Sequence, residues 1–440
     1  MVLLLLLVFL SGSALADTAW RGTSAHSLAN GTGDLLAAEG AAVSLSAEST
    51  GAERFAGAIT SIDAQAYRGR TVVLAGELQV QRGTNGASLW LRADGADGRL
   101  AFASSGDKPV STGQGTQSRE IHLYVPLQAT SLKLGLTLGS AGQMSAGHLT
   151  LRAESTISNR VTAYDMLDKA ITVIEANALN ASKVDWRAQR ELLRAADMKR
   201  LPAQEAYGSI TKILAALEDR HSSVRSPEST SAYRADAVAT RAIESRSMRG
   251  IGYLVVPGLR GTDPAASRAF SNELCDTTAN LARVAPKGWI IDLRANTGGN
   301  MWPMINGLRS LLGSGDVGGF RDREGATSPW QARSSGACSV DLSRSPVAVL
   351  IGPGTASSGE AVAVAFRARP GTRFFGQSSA GLSTSNRSFY LPDGGALSVT
   401  SAVFLDRSGA AYPQGIAPEN VVAGDQEVID AALNWLRSLP

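Results

Sequence analysis

The sequence predicts a multidomain protein in three parts: an N-terminal all-β sandwich, a small helical bundle, and an α/β core on a largely parallel sheet. Three observations carry that reading. Short alternating strands separated by turn residues fill residues 55–154, apolar residues recur at three- and four-residue intervals over 163–217, and strands alternate with helices from 250 onward. At 440 residues and 44% hydrophobic, the chain holds enough apolar material for more than one core.

Residues 1–16 carry an apolar run from Val2 to Leu10 and a small-x-small ending, Ala14-Leu15-Ala16. That is the pattern of a cleaved signal peptide, and it predicts an exported protein, periplasmic or secreted. The run is too short to span a bilayer, and no later stretch is long enough, so no membrane span is expected after signal removal. Residues 17–48, rich in Gly, Ala and Ser, read as a leader loop. The sandwich is assigned to 49–156, with strands at Thr71 to Val80, Ser88 to Arg92, Glu120 to Pro126, Leu132 to Leu138 and His148 to Arg152. Every second residue of Ser-Leu-Lys-Leu-Gly-Leu-Thr-Leu (131–138) is Leu, so one face is buried and the other wet. Such a jelly-roll-like module resembles carbohydrate-binding sandwiches, and Trp90, Tyr67 and Tyr124 are the candidates for a stacking surface. The plain alternative is that each is a core residue.

The helical bundle is assigned to 160–225, where Met166, Leu167, Ala170, Ile171 and Ile174, then Ile210, Ile213, Leu214 and Leu217, fall at helical spacing. Polar residues 226–249 read as a linker. The core, 250–440, places strands at Ile251 to Val256, Trp289 to Leu293, Val347 to Ile351 and Arg373 to Gly376. Helices are expected at Pro264 to Val284 and Gly359 to Ala368, and a hairpin turn at Asp393-Gly394-Gly395. Ligands of such sheets lie beyond the carboxyl ends of the strands.

A net charge of +3 with no stripe of Lys and Arg excludes nucleic acid as a partner. The two cysteines, Cys275 and Cys338, can pair as a disulfide in an oxidising compartment, and their spacing is not that of a zinc knuckle. No metal or organic cofactor is called for. The oligomeric state stays open.

Three loops combine small residues with reactive ones. Gly-Pro-Gly-Thr-Ala-Ser-Ser-Gly-Glu (352–360) follows a buried strand and opens an apolar helix, so the hydroxyl of Ser357 faces the positive end of the helix dipole. The same Ser357-x-x-Glu360 spacing is also a capping box. Asp-Leu-Arg-Ala-Asn-Thr-Gly-Gly (292–299) brings backbone amides close to a ligand through Gly298 and Gly299, or is a tight turn with an Arg294–Asp292 surface pair. His221-Ser222 closes the bundle, and His221 is the one histidine of four in a motif-like loop of the later domains; its alternative role is a helix C-cap.

Taken together, residues from about Ala163 to Val422 resemble the tail-specific, or C-terminal-processing, serine protease family, which includes the tricorn protease and the interphotoreceptor retinoid-binding protein. The likeness rests on Asp-Arg-His-Ser (219–222), Trp-Ile-Ile-Asp-Leu-Arg-x-Asn-x-Gly-Gly (289–299), Thr-Ala-Ser-Ser-Gly-Glu (355–360), Gly376 to Gly381 and Gly-Ile-x-Pro (415–418), about sixty per cent of the chain. It implies a crotonase-like ββα core, a peptide or protein substrate, Ser357 as nucleophile, and Ser358, Gly298 and Gly299 as the oxyanion hole. One branch of the family uses a lysine base after the second glycine-bearing strand, where this chain has Leu382. The resemblance therefore points to the tricorn-like arrangement, His221 with Ser222, and to Glu360 or Glu419 as the acidic member. No room is left between Arg225 and Gly250 for the family's peptide-binding PDZ domain. The competing functions are a catalytically silent binder of an apolar or saccharide ligand, and an esterase or amidase.

Overall fold

The computed structural model describes residues 19–50, 55–106, 108–154, 161–194, 197–235, 239–284, 287–333, 338 and 340–439, so the expected signal segment 1–16 lies outside the described residues. The chain divides into two compact units, residues 1–160 and 161–440.

The first unit is a sandwich of antiparallel strands: β1 (Arg21–Gly22), β2 (Leu28–Gly33), β3 (Ala41–Ala47), β4 (Ala56–Asp63), β5 (Thr71–Arg82), β6 (Ala87–Gly95), β7 (Gly98–Ser104), β8 (Gln117–Tyr124), β9 (Ser131–Leu138) and β10 (Gly142–Ala153). One sheet runs β1-β4-β9-β6-β7 and the other β2-β3-β10-β5-β8. The leucine alternation works as read: Leu132, Leu134, Leu136 and Leu138 are buried in one core with Leu45, Leu74 and Leu78 of the other sheet. At roughly 2 kcal/mol for each fully buried leucine, this face is a main source of the module's stability. The leader loop is corrected. It contains two paired strands, β2 and β3, with Ala41, Val43, Leu45 and Ala47 turned inward. Their side chains are mostly small, so the alternation was faint. The three-aromatic surface is corrected too, because Trp90 on β6 and Tyr124 on β8 belong to different sheets and Tyr67 packs against the core.

The second unit opens with α1 (Ala163–Asn177), α2 (Trp186–Leu192) and α3 (Ala206–Ala216), followed by β11 (Ser223–Arg225), α4 (Pro227–Ala235) and β12 (Glu244–Met248). The expected linker is thus a helix and a strand; β12 lies at the sheet edge, exposed along most of its length, so it needs no apolar face. Next come β13 (Ile251–Val255), α5 (Pro264–Ala282), β14 (Gly288–Asp292), α6 (Met301–Gly307), α7 (Arg309–Leu312), β15 (Asp316–Asp322) and β16 (Thr327–Gln331). The chain ends with β17 (Val347–Ile351), α8 (Ser358–Phe366), β18 (Thr372–Gly376), β19 (Thr384–Tyr390), β20 (Ala396–Leu405), β21 (Asn420–Val421) and α9 (Asp425–Ser438).

Two sheets organise this unit. The first runs β12-β13-β14-β17-β18-β21, parallel except for β12, and its central strands are buried on both faces, as a covered parallel sheet requires. The second runs β11-β20-β15-β16, with β19 also paired to β20. Helices α1 and α3 bury Ile171, Ile174, Ile210 and Ile213 in one cluster with Leu397 and Val399 of β20, so the bundle shares its core with this second sheet. Cys275 of α5 and Cys338 are joined as a disulfide.

Candidate active site

Adjacent parallel strands end side by side, and their loops converge. After β17 the chain turns sharply into α8 with Ser357 at φ +52°, ψ −119°, a left-handed conformation rarely adopted by a non-glycine residue. Such a conformation costs on the order of 1–3 kcal/mol and persists only where its surroundings impose it. Here they are visible. Glu360, fully buried, accepts hydrogen bonds from the Ser357 amide (3.1 Å), the Gly381 amide (3.0 Å), the Leu382 amide (2.7 Å) and the Ser379 hydroxyl (2.5 Å). Burial pushes its carboxyl up, against the downward pull of those donors.

After β14 the Gly298-Gly299 loop lies against this turn. Gly298 has φ +100°, and a Cβ there would stand 2.9 Å from Ser357 Cβ and 3.0 Å from the Ser358 nitrogen, so only glycine admits this approach. The Gly298 amide is already spent on Asn296 Oδ1 at 3.0 Å. Among the described residues no acceptor is seen for the amides of Gly299 and Ser358, and the Ser358 hydroxyl donates to the Gly299 carbonyl. The Arg294–Asp292 pair exists but is no surface feature: Asp292 is buried, binds Arg294 through both oxygens, and takes a 2.6 Å bond from the Tyr253 hydroxyl.

The second sheet delivers the imidazole. His221, between α3 and β11, sets Nε2 2.9 Å from Ser357 Oγ and Nδ1 2.8 Å from Thr384 Oγ1. When Nε2 accepts the serine proton, Nδ1 carries hydrogen and donates to Thr384. Burial lowers the His221 pKa, and the nearby Asp219 charge partly opposes this, so the ring is neutral at pH 7. The His221 backbone is held by Asp219 Oδ1, which accepts its amide at 3.0 Å, and by the Asn386 side chain, which donates to its carbonyl at 2.8 Å.

The structure brings together Ser357, His221, Gly298, Gly299 and Ser358. It does not bring Ser222 or Glu360 to the imidazole. The Ser222 hydroxyl faces away, bound to Asp219 Oδ2 (2.8 Å) and Thr400. Glu360 is occupied with backbone amides, and Glu419 with Arg367 and the Phe374 amide. The residue that sequence reasoning missed is Thr384. It lies beyond Leu382, where the family's lysine was sought, and no one-dimensional spacing ties it to position 221.

A serine on a strained strand-to-helix turn, faced by a neutral imidazole, is the arrangement found in one class of site, that of serine hydrolases. Comparison with known proteins narrows the class. Residues 250–422 match the model of Peptidase family S41. The matched segment includes Ser357 and both loop glycines but not His221. A nisin-resistance protein of Lactococcus lactis subsp. lactis is 32% identical over 195 residues, covering 42% of this chain and 59% of its own. A carboxy-terminal-processing protease of Bartonella bacilliformis is 28% identical over 190 residues, covering 42% of each chain. The protein thus spans about three fifths or less of the curated relatives it matches. Among solved structures, a lipoprotein from Streptococcus agalactiae shares the fold with a TM-score of 0.56 and 25% identity, covering 65% of this chain and 99% of its own.

Proposed function

We propose that the protein is an exported serine-type peptidase that hydrolyses peptide bonds through an acyl-enzyme, with Ser357 as nucleophile and His221 as general base. The observation that supports this most is the 2.9 Å contact between His221 Nε2 and Ser357 Oγ on the strained turn at the start of α8. In this reading Ser357 Oγ attacks the scissile carbonyl carbon while its proton passes to His221 Nε2, and the Gly299 and Ser358 amides hold the oxyanion. The imidazolium returns the proton to the leaving amine as the C–N bond breaks. Water, deprotonated by the same nitrogen, then cleaves the ester and frees Ser357. Thr384 is the orienting group in this scheme, in place of an acid.

A histidine base is the tricorn-like variant of the family chemistry, and the core is read as crotonase-like. One relative is named for nisin resistance and another for carboxy-terminal processing, which supports a peptide substrate. Export rests on the pattern in residues 1–16; among the described residues no helix is long and apolar enough to cross a membrane. The same acyl chemistry would serve an esterase or amidase, so the first test addresses the serine rather than the substrate. A fluorophosphonate probe should label the purified protein, with labelling lost in Ser357→Ala and His221→Ala and kept in Ser358→Ala. A folded wild-type protein that resists the probe would overturn the enzyme reading and favour a silent binding protein.

A further inference from the structure

The outer face of the β1-β4-β9-β6-β7 sheet carries a feature that the peptidase chemistry does not use. Trp90 of β6 is half-buried although it points away from the sandwich core, and Gly135 of β9 lies directly opposite it. A Cβ at Gly135 would stand 2.1 Å from the indole, so the Trp90 ring lies across the strand in the space that a side chain would fill. Phe102 of β7, 50% exposed, has its ring centre 6.4 Å from that of Trp90, with the two planes 27° apart. An indole laid over a glycine beside a nearly parallel phenyl ring makes a shallow apolar floor.

The rim of this floor is polar. Arg92, next on the same face, and Lys133 of β9 both bind Asp94, at 2.9 and 2.6 Å. The Arg99 guanidinium stands 5.7 Å from the Phe102 ring centre. Such a rim offers fixed donors beside an aromatic plane, because the buried Asp94 carboxylate holds both cations in place. A protein interface needs about 800 Å² on each partner, far more than two rings provide. A small flat ligand with apolar C–H faces and a girdle of hydroxyls fits both parts, the faces on the rings and the hydroxyls on the charged rim.

We propose that this face binds a pyranose ring of a polysaccharide, with Trp90 and Phe102 as the stacking floor and Arg92 and Lys133, held by Asp94, as the hydrogen-bonding rim. The proposal stands apart from the peptidase reading, because none of these residues belongs to the unit that holds Ser357.

Affinity electrophoresis of the full chain in native gels tests it, using gels cast with laminarin, soluble xylan, polygalacturonate or solubilised peptidoglycan. The wild type should be retarded by at least one of them. Trp90→Ala and Phe102→Ala should each weaken that retardation about tenfold, Trp90→Phe should restore part of it, and Ser357→Ala should leave it unchanged. Circular dichroism melting confirms that each variant is folded; if Trp90→Ala is not, Phe102→Ala and Arg92→Ala carry the test. Retardation by polygalacturonate alone would assign the ligand as an acidic sugar read by the Arg and Lys rim. Absence of retardation in all four gels, or retardation that survives loss of both rings, would overturn the proposal.

Discussion

The turn that carries Ser357 and the loop that carries His221 are both folded around a carboxylate, yet the two carboxylates sit in different surroundings. Glu360 is fully buried and gathers amides from two separate loops, those of Ser357 and of Gly381 with Leu382. Asp219 is only half-buried and gathers the amides of His221 and Ser222 within its own loop, with the Thr400 hydroxyl of β20 as its link to the sheet. A buried carboxylate that bridges loops holds a strained conformation against the whole fold, whereas a half-exposed one merely orders a local turn. The nucleophile's side of the site should therefore be the rigid one, and the base's side the one that water can partly repair.

The largest expected effect tests that contrast directly. Glu360→Ala leaves one buried and three half-buried donors without their acceptor and should cost about 3–5 kcal/mol, read as a lower urea midpoint. The strained Ser357 turn should relax with it, so fluorophosphonate labelling should fall even in the fraction that stays folded. Asp219→Ala exposes its donors to solvent and should cost about 1–2 kcal/mol. Equal losses in the two variants would mean that the two carboxylates hold their loops equally firmly.

Thr384→Val, nearly isosteric, sharpens the base's side. It removes the acceptor for His221 Nδ1, so the ring loses its preferred tautomer, and kcat/KM should fall about 10- to 100-fold with little change in Tm. Thr384→Ser should restore most of the activity, because the hydroxyl and not the methyl group carries the role. A Thr384→Val enzyme as active as wild type would leave His221 without an orienting partner and would remove Thr384 from the site.

These contrasts also mark how far the sequence could be read. Ser357 was legible because strand, turn and helix are contiguous in the chain, and Glu360 was legible as a partner of that turn by its three-residue spacing. Its assignment as an acid was not safe, because spacing does not say whether a carboxylate faces an imidazole or a set of amides. Thr384 was hidden for a different reason. It meets His221 only because β11 and β19 flank β20 in the second sheet, and pairings between distant strands leave no local pattern. The errors in the fold have the same origin. β3 alternates in small side chains, and β12 is a polar edge strand stabilised by its ladder with β13 rather than by burial.

The smallest expected effect is one of pH, and it separates the two carboxylates once more. Burial holds the His221 pKa below its ordinary value of 6.5, while Asp219 works in the opposite direction. The acid limb of kcat/KM should therefore fall below pH 6.5 in the wild type. Removing the charge with Asp219→Asn takes away an attraction that favours the imidazolium, so the limb should move further down and the variant should keep its activity to lower pH. The linkage to stability has a definite sign. The unfolded chain protonates this histidine near pH 6.5 while the folded chain still resists, so the unfolded state binds more protons and the His221 contribution to stability is lost as pH falls below that value. His221→Gln should flatten that part of the stability profile. A limb that moves up in Asp219→Asn would mean that the carboxylate acts on His221 through the fold of the loop rather than through its charge, and the half-exposed side of the site would then be as structural as the buried one.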